Sequence, residues 1–140
     1  MKSFSTGLAC VALAVSFGAM AQTAKGAAAP DCASATTQAQ MNECEYEDFL
    51  EATAGYAASY KAISDKLGAR QKDYFRRTQK LWIQYRTAAC NFESSGVAGG
   101  SAQGMVKSRC DARMTRARSA ELDVLANCKE GDLSCPRFKK

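Results

Sequence analysis

Six cysteines spread over residues 32–135 restrict the folds open to this chain more than any other feature. An even number of cysteines in a short chain is typical of exported domains that use disulfides to stabilise a small core. The chain has no Cys-x-x-Cys spacing and no histidine, so a zinc site is disfavoured. We therefore predict three disulfides, and the six residues are Cys32, Cys44, Cys90, Cys110, Cys128 and Cys135.

The N-terminal segment is typical of a secretory signal peptide. Lys2 precedes a short apolar run, and Ala19 and Ala21 form a small-x-small cleavage signal, so we predict a signal peptide over residues 1–21. A lipidated cysteine should follow the apolar run, whereas Cys10 lies near its start. We expect a periplasmic or secreted protein without a stable membrane anchor, beginning with a flexible lead-in over residues 22–30.

The absence of histidine limits the possible chemistry. It excludes Ser-His-Asp and Cys-His catalysis and histidine metal sites, and paired cysteines leave no thiol nucleophile. Glu47 and Glu51 could still form the catalytic pair of a two-carboxylate hydrolase, although no feature of the sequence indicates a substrate cleft around them. Export and the lack of a binding motif argue against nucleic acid as a partner. We expect a protein that is not an enzyme and needs no metal or cofactor.

Apolar spacing predicts an all-α fold. Thr37 and Gln40 suit a capping box at the start of a first helix, and Gly68 suits its end. Helical spacing continues over about residues 69–92 and 105–127. We predict a disulfide-stapled helical hairpin with a third helix laid on it, a small three-helix bundle over residues 31–127. Residues 128–140 form a basic tail closed by a disulfide.

The second predicted helix carries an unusually wide apolar stripe. A broad stripe is expected to pack on two neighbours rather than one. Trp82 and Tyr85 lie on this stripe and are predicted to be core residues. Arg86 follows Trp82 by one helical turn, so its guanidinium can lie over the indole ring. Arg118 falls among apolar positions of the third helix, so it needs either an acidic partner or access to water at the edge of the core.

Two sets of disulfide pairings fit the predicted bundle. The favoured set joins each cysteine to the next along the chain, and its Cys90–Cys110 bridge would fix the ends of a glycine-rich loop over residues 93–104. In the competing set, Cys44 joins Cys90 and Cys32 joins Cys110. This set is possible because the turn between the first two helices would bring Cys44 and Cys90 to nearly the same height in the bundle, and Cys110 returns to that end. The favoured pairs are Cys32–Cys44, Cys90–Cys110 and Cys128–Cys135.

Several segments occur in an order that resembles a known family. They are "DCASATTQAQMNEC", Tyr60, "RRTQKLWIQYRTAACNFE", "GGSAQGMVKSRC" and "MTRARSAEL". This set resembles the LprI-like lysozyme inhibitors, which are small exported bacterial domains, and the match covers about residues 31–125. The family pattern has Asp and Leu-Asn in the middle of helix 1, where this chain has Thr53, Tyr56 and Ala57. The resemblance implies an exported helical domain, and at least one member of the family inhibits lysozyme.

Two surfaces are candidates for binding in light of this resemblance. The first is an acidic block near the start of helix 1, which can be a solvated helix face or a docking face for a cationic protein. The second is the long loop, whose hydroxyls and amide can reach catalytic carboxylates of an enzyme cleft. The acidic block comprises Glu43, Glu45, Glu47, Asp48 and Glu51, and the loop offers Ser95, Ser101 and Gln103.

The sequence therefore supports two functional hypotheses from different classes. The first is an exported binding protein that blocks a muramidase by occlusion, with lysozyme or another cationic envelope protein as its partner. The alternative is a structural or stress-related module of the cell envelope without any effect on lysozyme. The net charge of the chain is +5. Its acidic and basic residues are segregated, so a local acidic face can exist on a basic molecule.

Overall fold

Three long helices in an up-down-up arrangement make up the described part of the molecule. The structure is a computed structural model that describes residues 30–129 and 131–139. The predicted signal peptide and nearly all of the lead-in lie outside this part of the chain. The all-α prediction is confirmed, and the helices are α1 (Gln38–Ser64), α2 (Ala69–Glu93) and α3 (Gln103–Ala126).

The first helix begins as the sequence predicts. The Thr37 hydroxyl accepts the Gln40 backbone N–H at 3.2 Å, and the Gln40 side chain accepts the Thr37 N–H at 3.0 Å. This capping box satisfies two backbone donors at the helix N-terminus. The helix ends at Ser64, and Gly68, predicted to end it, instead takes an extended conformation immediately before α2.

The main helix interface differs from the expected hairpin. α1 and α3 run parallel and lie side by side along most of their lengths, whereas α1 and α2 approach each other less closely. Small residues explain this close packing, because their short side chains let two helix backbones approach. Ala52 and Ser59 on α1 and Ala112 and Thr115 on α3 are all buried.

Larger apolar side chains are concentrated at the end of the bundle where α1 turns into α2. Ile63, Leu67 and Phe75 form a buried cluster with residues of α3, and the Tyr60 ring stacks on Phe75 with centroids 4.9 Å apart. Phe138 of the tail packs against this cluster. The tail is therefore docked on the end of the bundle rather than extending away from it.

The favoured disulfide pairing is the one found in the structure. Each cysteine is joined to the next along the chain. The Cys90 and Cys110 side chains are fully buried between α2 and α3. The competing set is therefore wrong, and the bridges are Cys32–Cys44, Cys90–Cys110 and Cys128–Cys135.

The prediction that the wide stripe of α2 is buried is wrong for most of its residues. Tyr85 was expected in the core but is exposed, and Trp82 is only partly buried. Because α1 and α3 pack mainly on each other, α2 lies against them along one arc. The remaining apolar arc of α2 faces solvent.

Candidate functional site

The motif residue Arg86 occupies the interior between the three helices. Its Nη1 donates to the Thr115 hydroxyl at 2.8 Å, and its Nε lies 3.4 Å from a carboxylate oxygen of Asp111. The guanidinium also lies over the rings of Trp82 and Phe49, at 5.3 and 5.0 Å from their centroids. The predicted contact with Trp82 is confirmed. With this many internal partners, Arg86 holds the bundle together and is not available to a ligand.

Arg118 has the acidic partner that its position requires. Its guanidinium donates to Glu121 at 2.7 Å and to the Gln79 side chain at 3.0 Å. The Tyr56 hydroxyl lies 3.4 Å from the same Gln79 oxygen, and burial raises the pKa of Tyr56. The Tyr56 ring stacks on Trp82 with centroids 5.4 Å apart. The centre of α1 thus serves the packing of the bundle.

The five residues of the acidic block fall into a bridged pair and an exposed set of three. Glu45 accepts from Arg109 at 2.5 Å, and Asp48 accepts from Arg116 at 2.5 Å, so both tie α1 to α3. The hydrogen bond from Arg116 holds the pKa of Asp48 below its ordinary value. The other three residues of the block, Glu43, Glu47 and Glu51, are exposed on the surface of α1.

An open groove runs beside this block and has a volume of about 880 Å³. The apolar part of its lining includes Met41, Leu50 and Met105 together with the Cys32–Cys44 bridge, and Glu47 and Glu51 contribute acidic groups. Such a lining can hold the methylene stem of a lysine or arginine while carboxylates meet its charge. We call this surface the acidic groove.

The loop between α2 and α3 is more ordered than the sequence predicts. A short 3₁₀ helix, Ser94–Val97, follows α2 directly, and Gly99 adopts a positive φ of 76° that favours glycine. The Gln103 side chain accepts the Gly99 N–H at 2.8 Å, so its amide oxygen stabilises the loop. Ser95 and Ser101 are exposed. Of the three predicted loop residues, only these two present their side chains to solvent.

Asn42 is a site residue that the sequence reasoning missed. Its amide nitrogen donates to the Ser101 carbonyl at 2.9 Å, and its amide oxygen accepts the Met105 N–H at 3.1 Å. It therefore caps the first turn of α3 and fixes the end of the loop from a different helix. These partners lie about sixty positions away along the chain, and no local pattern identifies such a contact.

The loop and the acidic groove lie at the same end of the bundle. Asn42 holds the loop, and its helical neighbours Met41 and Glu45 line the groove. Met105 and Arg109, in the first turns after the loop, line the groove from α3. The two candidate surfaces therefore form one continuous face.

The described residues offer no obvious metal centre. Within residues 30–129 and 131–139, no three His, Cys, Asp or Glu side chains are grouped so that they could hold an ion. Glu47 and Glu51, the pair considered for a two-carboxylate hydrolase, are both exposed. None of the helices in the described part is long and apolar enough to cross a membrane.

Comparison with known proteins agrees with the resemblance seen in the sequence. The model of a family described as "Lysozyme inhibitor LprI" matches residues 29–122. An uncharacterized protein of Rhizobium meliloti (strain 1021) is 30% identical over 114 residues, which cover 72% of this chain and 82% of the relative. No solved structure matches the chain.

Proposed function

The chain belongs to the LprI lysozyme inhibitor family, and on this premise we propose that it binds a lysozyme and blocks it by occlusion. The observation that most supports this proposal is the continuous face formed by the acidic groove and the disulfide-anchored loop. An occluding inhibitor needs an attractive surface for the enzyme and a rigid element to fill its cleft. This face supplies both.

The acidic groove is the attractive surface in this proposal. The whole chain carries a net charge of +5, so it does not attract a cationic enzyme through its overall charge. The attraction must be local, and Glu47 and Glu51 are acidic residues of the groove that are exposed. A basic side chain of the enzyme would place its charge against these carboxylates and its stem along Met41 and Leu50.

The loop is the element that would enter the cleft. The Cys90–Cys110 bridge anchors both of its ends, and Asn42 fixes its junction with α3. A loop held in this way loses little conformational entropy on binding. Ser95 and Ser101 would then offer hydroxyls to the catalytic carboxylates of the enzyme, while Gln103 supports the loop from within.

Inhibition of lysozyme by the purified mature protein is the direct test. Replacing Glu47 and Glu51 by lysine should slow association with a cationic lysozyme, because charges at the rim of an interface mainly affect the rate of encounter. The effect should fade with salt, since the screening length falls from about 10 Å at 0.1 M to about 3 Å at 1 M. The matched control is Asp65→Lys/Asp132→Lys, which changes the net charge equally but lies outside the groove.

A second pair of variants tests the loop. Ser101→Trp places a bulky ring on the exposed loop and should accelerate dissociation by crowding the cleft. Ala62→Trp places the same ring on an exposed position near the far end of α1 and should have no effect. Both variants should keep the helical circular dichroism spectrum of the parent.

The alternative function predicts a different set of results. A structural module of the cell envelope would neither inhibit nor bind lysozyme at any salt concentration. Unchanged binding by Ser101→Trp would show that the loop is a connector and that its bridge serves stability alone. Muramidase activity of the pure protein would instead support the two-carboxylate hydrolase.

A further inference from the structure

The solvent-facing arc of α2 carries four large apolar side chains. Tyr74, Leu81, Tyr85 and Phe92 are 62%, 65%, 64% and 81% exposed. Scattered single apolar residues are normal on a protein surface, but these four share one face of one helix. The burial of α2 against α1 and α3 does not account for them.

The spacing of these residues is that of a coiled-coil seam. With the exposed Thr78 and Ala88, they follow one another in alternating steps of four and three residues, as positions a and d of a heptad do. The seam runs over residues 74–92 and covers most of α2. A seam of this kind is completed by another helix that carries the same spacing.

We propose that a second copy of this chain covers the seam, with the two α2 helices antiparallel. In this orientation the seam is complementary to itself, because each residue meets a different one in the other copy. Tyr74 lies opposite Phe92 of the second copy, and Leu81 lies opposite its Tyr85. The small residues Thr78 and Ala88 form the remaining layer.

The charges beside the seam favour this orientation. Arg70 and Arg77 lie on one border of it, and in a parallel pair this border would face the opposite border of the other copy, which carries Phe75, Trp82 and Ala89 and no polar acceptor. In the antiparallel pair, Arg77 lies toward Gln84 and Asn91 of the other copy, so like charges are separated. The basic border also makes a cationic lysozyme a poor occupant, which distinguishes the seam from the acidic groove. No seam residue lines that groove.

The available surface indicates a weak dimer. An aromatic side chain can bury about 200 Å², so the exposed parts of the four seam residues offer roughly 500 Å² per copy. The two copies together reach the lower end of the area of specific interfaces, about 1,000 Å². Dimerisation should therefore be visible only at high protein concentration.

Sedimentation equilibrium of the mature protein tests the proposal. The protein concentration should reach about 1 mM, because interfaces of this size are weak. Leu81→Glu and Tyr85→Lys should each weaken dimerisation by about tenfold or more, because each places a charge in the seam. Val124→Glu is the matched control, since Val124 is 71% exposed on α3, away from the seam. It should dimerise like the parent.

Mixing the two seam variants tests the orientation. In the antiparallel pair, the glutamate of a Leu81→Glu chain lies opposite the lysine of a Tyr85→Lys chain, whereas in a parallel pair these two residues do not meet. An equal mixture of the two variants should therefore recover a heterodimer. A mixture that stays monomeric would overturn the antiparallel pairing. A parent protein that is monomeric at about 1 mM, or a Leu81→Glu variant that dimerises like it, would overturn the dimer. If the parent is monomeric and binds anionic vesicles, and the Leu81→Glu variant does not bind them, the seam would be a lipid-binding surface instead.

Discussion

Asp111→Asn should destabilise the protein far more than the loss of any exposed charge pair. The Asp111 side chain is 6% exposed, and the Arg86 side chain is 14% exposed. Asp111 accepts from Lys107 at 2.6 Å and lies 3.4 Å from the Arg86 Nε. Asparagine keeps the size of the side chain but removes its charge, so Arg86 remains buried without its counterion.

The size of the effect follows from the partners that remain. Removing one member of a buried ion pair costs about 3–5 kcal/mol. Arg86 keeps its hydrogen bond to Thr115 and its contacts with Trp82 and Phe49, and Lys107 is exposed enough to reach water. We therefore expect a loss near the lower limit, about 3 kcal/mol, from a total that is typically about 5–15 kcal/mol.

Urea denaturation followed by circular dichroism measures this loss. Replacing both Arg86 and Asp111 by leucine should cost less than the two single replacements together, since no buried charge is left unpaired. Glu93→Gln is the control, because its pair with Arg113 is exposed and should contribute at most about 1 kcal/mol. A loss below about 1 kcal/mol for Asp111→Asn, or strict additivity in the double variant, would refute the assigned role of the pair.

Three further predictions concern other contacts. Replacing Cys90 and Cys110 by serine should lower the free energy of unfolding, measured in urea, by about 3 kcal/mol, as expected for a disulfide that closes a loop of this length. A loss smaller than that expected for an exposed ion pair would contradict this. Because Arg116 lowers the pKa of Asp48, their pair stabilises the protein above the unfolded pKa of about 3.9 and is lost as pH falls through the lower folded pKa. Asp48→Asn should thus be destabilised in urea near neutral pH and match the parent in strong acid, and equal deficits at both would disprove the linkage. Trp82→Ala should lower stability by about 2 kcal/mol in thermal melts, less than the 3–5 kcal/mol of a core aromatic, because Trp82 is only partly buried; an unchanged melting temperature would exclude its packing role.

Features that depend on near neighbours in the chain were predictable from the sequence. The capping box at Thr37 joins residues three positions apart, and its side-chain chemistry is visible without any fold. The pairing of consecutive cysteines, such as Cys90 with Cys110, was the favoured one of two sets that the predicted helices allowed. In both cases the constraint acts over a short stretch of chain.

The exposure of α2 was not predictable in the same way. A helical wheel shows that Phe75 and Tyr85 are both apolar and both near one broad stripe, but not how much of that stripe the other helices cover. The outcome depends on how closely α1 and α3 approach each other, which small residues such as Ala52 and Ala112 permit. Phe75 is buried and Tyr85 is not because α2 meets its neighbours along one arc.

The same limit applies to the acidic block and decides how the proposed function must be tested. In the sequence, Glu45 and Glu47 belong to one run of like charges and look equivalent. Glu45 is bound by Arg109, which is 64 positions away, whereas Glu47 is exposed in the acidic groove. Reversing the charge of the whole block would break contacts between α1 and α3, and any loss of lysozyme binding could then reflect damage to the fold. Changing only Glu47 and Glu51 leaves the bridges to Arg109 and Arg116 in place, so a slower association would be a property of the binding surface itself.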